Sequence, residues 1–196
     1  MRKPAVFIDR DGTVNEQMGY INHPDRFRLL QGVAEAILLL NQNDFLAIII
    51  SNQSGVARGY FPIQLVHEVH GLMKETLKAK GARIDGVFFC PHHPRGSVPE
   101  FAIECHCRKP KPGLIEQACQ AFDIDLSGSY MVGDRCLDIE TAERSHLKGI
   151  LVETGYGLGE IRYVLPQTHV KPLHIAGDLL GAVQWILGRE KVIETR

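Results

Sequence analysis

The chain has 196 residues, a formal net charge of −1 and a hydrophobic fraction of 44%. That length suits one domain with a sizeable core, and the charge balance gives no electrostatic reason to expect nucleic acid or an anionic membrane surface as partner. No apolar run approaches the ~20 residues of a membrane span, and Met1–Pro4 is a short basic lead without a signal-peptide apolar region, so the expected compartment is the cytoplasm.

In chain order, Ala5–Ile8 is an apolar run before a turn and reads as a buried strand. Val33–Leu40 reads as a helix, and Phe45–Ile50 as a second strand. Pro62 opens a long helix to about Lys80, with Gly81 as its stop. Val87–Phe89 is a third strand, followed by a long loop from Cys90 to Pro112 rich in Pro, His and Cys. Leu114–Phe122 reads as a helix, Tyr130–Val132 as a strand, Asp138–Ser145 as a helix and Gly149–Val152 as a fifth strand. A last helix spans about Leu179–Leu187, with Asp178 as N-cap and 189–196 as a charged, frayed tail. Strands alternating with helices predict a single α/β domain: a Rossmann-like parallel sheet flanked by helices, whose ligands bind at the carboxyl edge. No insertion is long enough for a large cap domain.

That edge carries the chemistry. Asp9-Arg10-Asp11-Gly12-Thr13 ends the first strand, and alternation makes Asp9 and Asp11 project the same way. Two adjacent carboxylates repel unless a cation lies between them. Ser51-Asn52 ends the second strand, with a hydroxyl and successive N–H groups suited to phosphate oxygens. Arg108-Lys109-Pro110 is a rigid basic segment before a helix. Gly133-Asp134-Arg135 ends the fourth strand, with Asp138 one turn on. Asp134 can join Asp9 around magnesium, a hard ion that takes one or two carboxylates plus a substrate phosphate. Taken singly each signal fits a polar turn, a solvated charge run or a helix cap. Their joint order does not.

Five cysteines are an odd count, and Cys90, Cys105 and Cys107 share one loop. With His92 they form a Cys₃His set, a closed tetrahedral shell for a structural zinc. His93 and His106 compete for the histidine place. The C-x-H and C-x-C spacings are tighter than the common ones. Cys119 and Cys136 read as core thiols. His67 and His70 read as surface residues of the long helix. Gly155-Tyr156-Gly157-Leu158-Gly159 lacks the GxGxxG spacing and reads as a turn with no helix opening from it.

The order DxD, Ser, Lys and GDxxxD matches the haloacid dehalogenase (HAD) superfamily of phosphatases. More closely, Asp9–Thr13, Ser51–Gly59, Cys90–Pro94 and Cys105–Pro110 resemble the D-glycero-D-manno-heptose-1,7-bisphosphate 7-phosphatase family, over about residues 4–188. The resemblance implies a magnesium-dependent phosphatase of a small sugar phosphate, serving nucleotide-activated heptose and lipopolysaccharide core precursors, and a monomer is expected. It implies Asp9 as nucleophile and Asp11 as general acid and base. Magnesium would be held by Asp9, the Asp11 carbonyl and Asp134, and zinc by the cysteine loop. Ser51, Arg108 and Lys109 would steady the phosphoryl group. Gln17, Met18, Gly19, Tyr20, Asn52, Gln53, Ser54 and Arg135 would contact substrate. For the first step Asp11 must be protonated, which a neighbouring acid favours and the metal opposes. Histidinol-phosphate phosphatase is the alternative, disfavoured by Gln53–Gly59 and the longer zinc loop. A zinc-dependent binding module is a third reading, disfavoured by the intact acid set.

Overall fold

The computed structural model describes residues 2–194 of the chain. Its strands are β1 (Ala5–Ile8), β2 (Leu46–Asn52), β3 (Gly86–Cys90), β4 (Tyr130–Gly133), β5 (Lys148–Val152) and β6 (His174–Ala176). They form one parallel sheet in the order β3-β2-β1-β4-β5-β6. The main helices are α1 (Val33–Gln42), α2 (Ile63–Lys78), α3 (Gly113–Ala121), α4 (Cys136–Arg144), the short α5 (Gly157–Gly159) and α6 (Leu179–Glu194).

β1 is buried along its whole length, and its side chains divide by alternation. Val6 and Ile8 join Ile37, Leu40, Met73, Val183 and Ile186 on the face covered by α1, α2 and α6. Ala5 and Phe7 join Leu114, Ile115, Ala118 and Ala142 on the face covered by α3 and α4. An apolar run buried on both faces is what a central parallel strand requires. The order of strands turns back between β1 and β4, so a crevice opens there at the carboxyl edge.

Three features depart from the sequence expectation. A sixth strand, β6, extends the sheet beyond β5. A helix does open at Gly157, and it continues as a π-helical turn, Glu160–Val164, and a 3₁₀ turn, Leu165–Gln167. The last helix runs on to Glu194, so most of the expected frayed tail is helical, while residues 195 and 196 lie outside the described residues. Asp178 does cap that helix, accepting from the Gly181 N–H at 2.8 Å. Among the described residues no helix is long and apolar enough to cross a membrane.

Candidate active site

The crevice is a cavity of about 240 Å³ at the ends of β1, β2 and β4, and both Asp9 and Asp11 line it. Lys109 spans its floor. Its ammonium lies 2.8 Å from Asp9 Oδ1 and 2.5 Å from Asp138 Oδ1, with all three side chains at most 10% exposed. Burial opposes the charge on Lys109, yet the carboxylates of Asp138 and Asp9 outweigh it and push the pKa above the ordinary lysine value. Lys109 is brought there by Asn52, which brackets its backbone. Asn52 Nδ2 donates to the Lys109 carbonyl at 3.2 Å, and the Lys109 N–H donates to Asn52 Oδ1 at 3.0 Å. Asn52 thus positions the lysine as well as lining the cavity.

Asp9, Asp134 and Asp138 bring carboxylate oxygens within 4.8 Å of one another. Asp138 is already committed: besides Lys109 it accepts the Arg135 backbone N–H at 3.1 Å, capping α4. Asp134 is fully buried, and its Oδ1 is without a hydrogen-bond partner. Its Oδ2 accepts the Tyr156 N–H at 2.8 Å. Burial first, then the Asp9 charge, raises Asp134 to about 8. Burial likewise raises Asp9 to about 6, against the pull of Lys109. Buried acids short of positive charge, one with an orphaned oxygen, are the donor set a divalent cation fits. Gly12 and Gly155 leave room beside Asp134, and a Cβ on either would collide with Asp134 Oδ2.

Asp11 differs from the expectation. The buried Arg10, rather than the nearby Asp9, dominates its charge surroundings. Arg10 Nη2 donates to Asp11 Oδ1 and Oδ2, both at 2.8 Å. Asn15 Nδ2 adds a bond at 3.0 Å and Gln53 Nε2 one at 2.8 Å. Burial pushes the carboxyl up, but Arg10 and these donors outweigh it and hold it below the ordinary value. Asp11 therefore stands ready as a base rather than as an acid.

Of the other expected contacts, Gln17, Gly19, Tyr20, Ser51, Ser54, Arg108 and Arg135 line the same cavity. Met18 and Gln53 are not among its lining residues. Met18 offers its carbonyl to Arg26 Nη2 at 3.3 Å, and Gln53 lies beneath, donating to Asp11 and, at 2.7 Å, to Ser51 Oγ. Leu137 and Tyr156 line the cavity and were not anticipated. Tyr156 lies in the glycine-rich segment read as a plain turn, and the Arg135 guanidinium sits 5.5 Å from its ring centre. His70, expected at the surface, is buried and meets Arg10 Nη1 at 3.1 Å, while His67 is exposed. Cys136 is buried as expected, and Cys119 is half-buried against the α3 side of the core.

The second cluster flanks the crevice. Sγ of Cys90, Cys105 and Cys107 and a ring nitrogen of His92 lie within 4.8 Å of one another. Zinc–sulfur bonds of about 2.3 Å in a tetrahedron put sulfurs roughly 3.8 Å apart. Here Cys105 lies 3.5 Å from Cys90 and 3.4 Å from Cys107, and His92 Nδ1 is 3.3 Å from Cys107 Sγ. The spacing and donor set fit zinc. Hydrogen bonding from Cys90, then from His92, outweighs burial and draws Cys107 down to about 5. His93 turns to Arg58 at 3.0 Å and His106 to Glu116 at 2.8 Å, away from the cluster. Arg108 Nη1 donates to the His92 carbonyl at 3.3 Å, which ties this loop to the cavity wall.

Comparison with known proteins agrees with this geometry. A family model described as HAD-hyrolase-like matches residues 106–182. The D-glycero-beta-D-manno-heptose-1,7-bisphosphate 7-phosphatase of Yersinia pestis is 43% identical over 185 residues, 94% of this chain and 89% of that protein. The D-glycero-D-manno-heptose-1,7-bisphosphate 7-phosphatase of Thermosynechococcus vestitus is 42% identical over 190 residues, 95% of this chain and 96% of that protein. Among solved structures, the D,D-heptose 1.7-bisphosphate phosphatase from B. bronchiseptica, complexed with magnesium and phosphate, matches at TM-score 0.82 and 31% identity, over 95% of this chain and 99% of that one. With this fold, this acid and lysine set, and identity of this extent over nearly the whole length, the chain belongs to the D-glycero-D-manno-heptose-1,7-bisphosphate 7-phosphatase family of HAD-like hydrolases.

Proposed function

We propose that this chain removes the 7-phosphate of D-glycero-D-manno-heptose 1,7-bisphosphate, with Asp9 as nucleophile. The observation that carries the reading is the buried Lys109 ammonium set between Asp9 and Asp138, beside the orphaned Asp134 oxygen. Asp9 attacks phosphorus, the bond to the sugar oxygen breaks, and an aspartyl-phosphate forms. Lys109, Arg108 and the Ser51 hydroxyl hold the transferred oxygens, and such positioning supplies most of phosphoryl-transfer catalysis. Asp11, ionised among Arg10, Asn15 and Gln53, takes a proton from the water that then cleaves the intermediate. Protonating the leaving sugar oxygen calls for the neutral form of Asp11, against the pull of Arg10.

Asp9, Asp134 and the Asp11 carbonyl would hold magnesium, which supplies charge neutralisation of the phosphoryl oxygens. Cys90, His92, Cys105 and Cys107 would hold a structural zinc whose loop pre-sets Arg108 and Lys109. The chain works as one domain. We take the working unit to be a monomer, and its metabolite substrate argues for the cytoplasm.

The test is phosphate release with magnesium from heptose bisphosphate, histidinol phosphate and fructose bisphosphate. Heptose bisphosphate should be preferred by kcat/KM at least about tenfold. Preference for histidinol phosphate would overturn the substrate assignment, and no release from any of them would overturn the phosphatase itself.

A further inference from the structure

Arg10 sits between the two active-site aspartates in sequence, so its side chain leaves the strand in the opposite sense from theirs. It runs inward beneath α2 and is 2% exposed. A buried guanidinium needs acceptors for its five N–H groups. Nε and Nη2 go to Asp11, at 3.2 Å for Nε and 2.8 Å for Nη2. Nη1 meets His70 Nε2 at 3.1 Å. Arginine has no acceptor and stays charged, so His70 Nε2 must offer its lone pair and the ring proton must sit on Nδ1. His70 belongs to the buried stripe Val66, Val69, His70, Met73 and Leu77 of α2 and packs edge-on against Phe89, with ring centres 5.3 Å apart. It is a neutral acceptor fixed at one end of the guanidinium, while the other end grips the Asp11 carboxylate.

We propose that His70 is a positioning residue for Asp11, acting through Arg10. The inference rests on the assignment of Asp11 as proton-transfer group. With Nη1 anchored, the guanidinium plane cannot swing about its Cδ–Nε axis, and the fork fixes the Asp11 carboxylate where Gln53 and Asn15 also reach it. With the anchor gone, the fork and the carboxylate drift, and proton transfer to and from the cavity slows.

A double-mutant cycle separates this role from mere support of the fold. His70→Leu keeps bulk and removes the acceptor, and His70→Gln restores an acceptor oxygen near the place of Nε2. With heptose bisphosphate and magnesium, His70→Leu should lower kcat about tenfold, since small misplacements of catalytic groups cost that much or more. KM and the magnesium concentration for half-maximal activity should stay within about twofold, and His70→Gln should recover most of kcat. In an Asp11→Asn background His70→Leu should change kcat by less than about twofold. An equal fall in both backgrounds, or no fall in the wild-type background, overturns the proposal. If Asp11→Asn alone turns over like wild type, the Asp11 assignment is what has failed, and the role of His70 falls with it. Should His70→Leu not fold, His70→Met enters the same cycle, because it too keeps bulk and removes the nitrogen acceptor.

Discussion

Lys109 Nζ stands 2.5 Å from Asp138 Oδ1, a pair at 3% and 1% side-chain exposure that joins the loop before α3 to the first turn of α4. The same ammonium serves Asp9. Lys109→Met therefore strands two buried carboxylates at once. Removing one partner of a buried pair costs about 3–5 kcal/mol, or roughly 10 °C in a chain of this size. Thermal melting should show that fall, activity should be lost, and magnesium should restore part of the melting temperature by replacing the missing charge. A variant that melts like wild type would mean Lys109 does not hold this cluster.

Gly155 has φ +60°, and a Cβ there would collide with Asp134 Oδ2 and Gly12 Cα. Gly155→Ala should therefore displace Asp134 from its place. The magnesium needed for half-maximal activity should rise at least about tenfold, since disturbing what orients a ligand typically costs 10–100-fold in metal affinity. Titration of activity with magnesium is the measurement, and an unchanged midpoint would separate Asp134 from the metal.

Zinc and magnesium should have separable roles. Mild EDTA treatment should stop catalysis, and magnesium should restore it, because magnesium has few protein ligands and exchanges. Zinc held by three thiolates and an imidazole should survive that treatment, since its binding energy is partly folding energy. Cys107→Ser should lose zinc, melt lower and turn over more slowly with Asp9, Asp11 and Asp134 intact. Metal content per chain, melting and activity check this, and a zinc-free variant with full activity would release the loop from its supporting role.

His70 carries a pH signature. Burial first, and then Arg10, lowers it from 6.5 to about 3. Between those values the unfolded chain binds a proton that the folded chain does not, so acid favours unfolding. The contribution is whole above about pH 6.5 and is lost as pH falls. Urea midpoints from about pH 6.5 to 4.5 should thus fall less steeply in His70→Gln than in wild type. Parallel slopes would place His70 outside the acid response.

Much of this site could be read from the sequence because its main pieces sit at the ends of apolar runs. Asp9, Ser51 and Asp134 each follow a stretch that can only be a buried strand, and a parallel sheet brings such ends together. The roles of Gln53 and His70 were not legible. Gln53 meets Asp11 across 42 residues and His70 meets Arg10 across 60. The helical spacing of Val66, Val69, Met73 and Leu77 does put position 70 on the buried face of α2, but nothing in it points to Arg10 as the partner. Asp138 was visible as the last acid of the GDxxxD motif, but its pairing with Lys109 was not, because that is set by the path of the cysteine loop. β6 escaped because His174–Ala176 is three residues long with an exposed isoleucine, too short for a period to show. The helix at Gly157 escaped because glycines open it, against their propensity.

The central claim is that phosphate passes through Asp9, and trapping the intermediate tests it most directly. Asp11→Asn lacks the base for the second step, while an aryl phosphate needs little acid help in the first, so phosphoenzyme should accumulate after rapid mixing of this variant with an aryl phosphate and magnesium. Acid quench and borohydride reduction would turn an aspartyl-phosphate into homoserine, which peptide mass spectrometry locates by residue. The account predicts homoserine at position 9, absent when substrate is withheld. Homoserine at another position, or none while phosphate is still released, would contradict it.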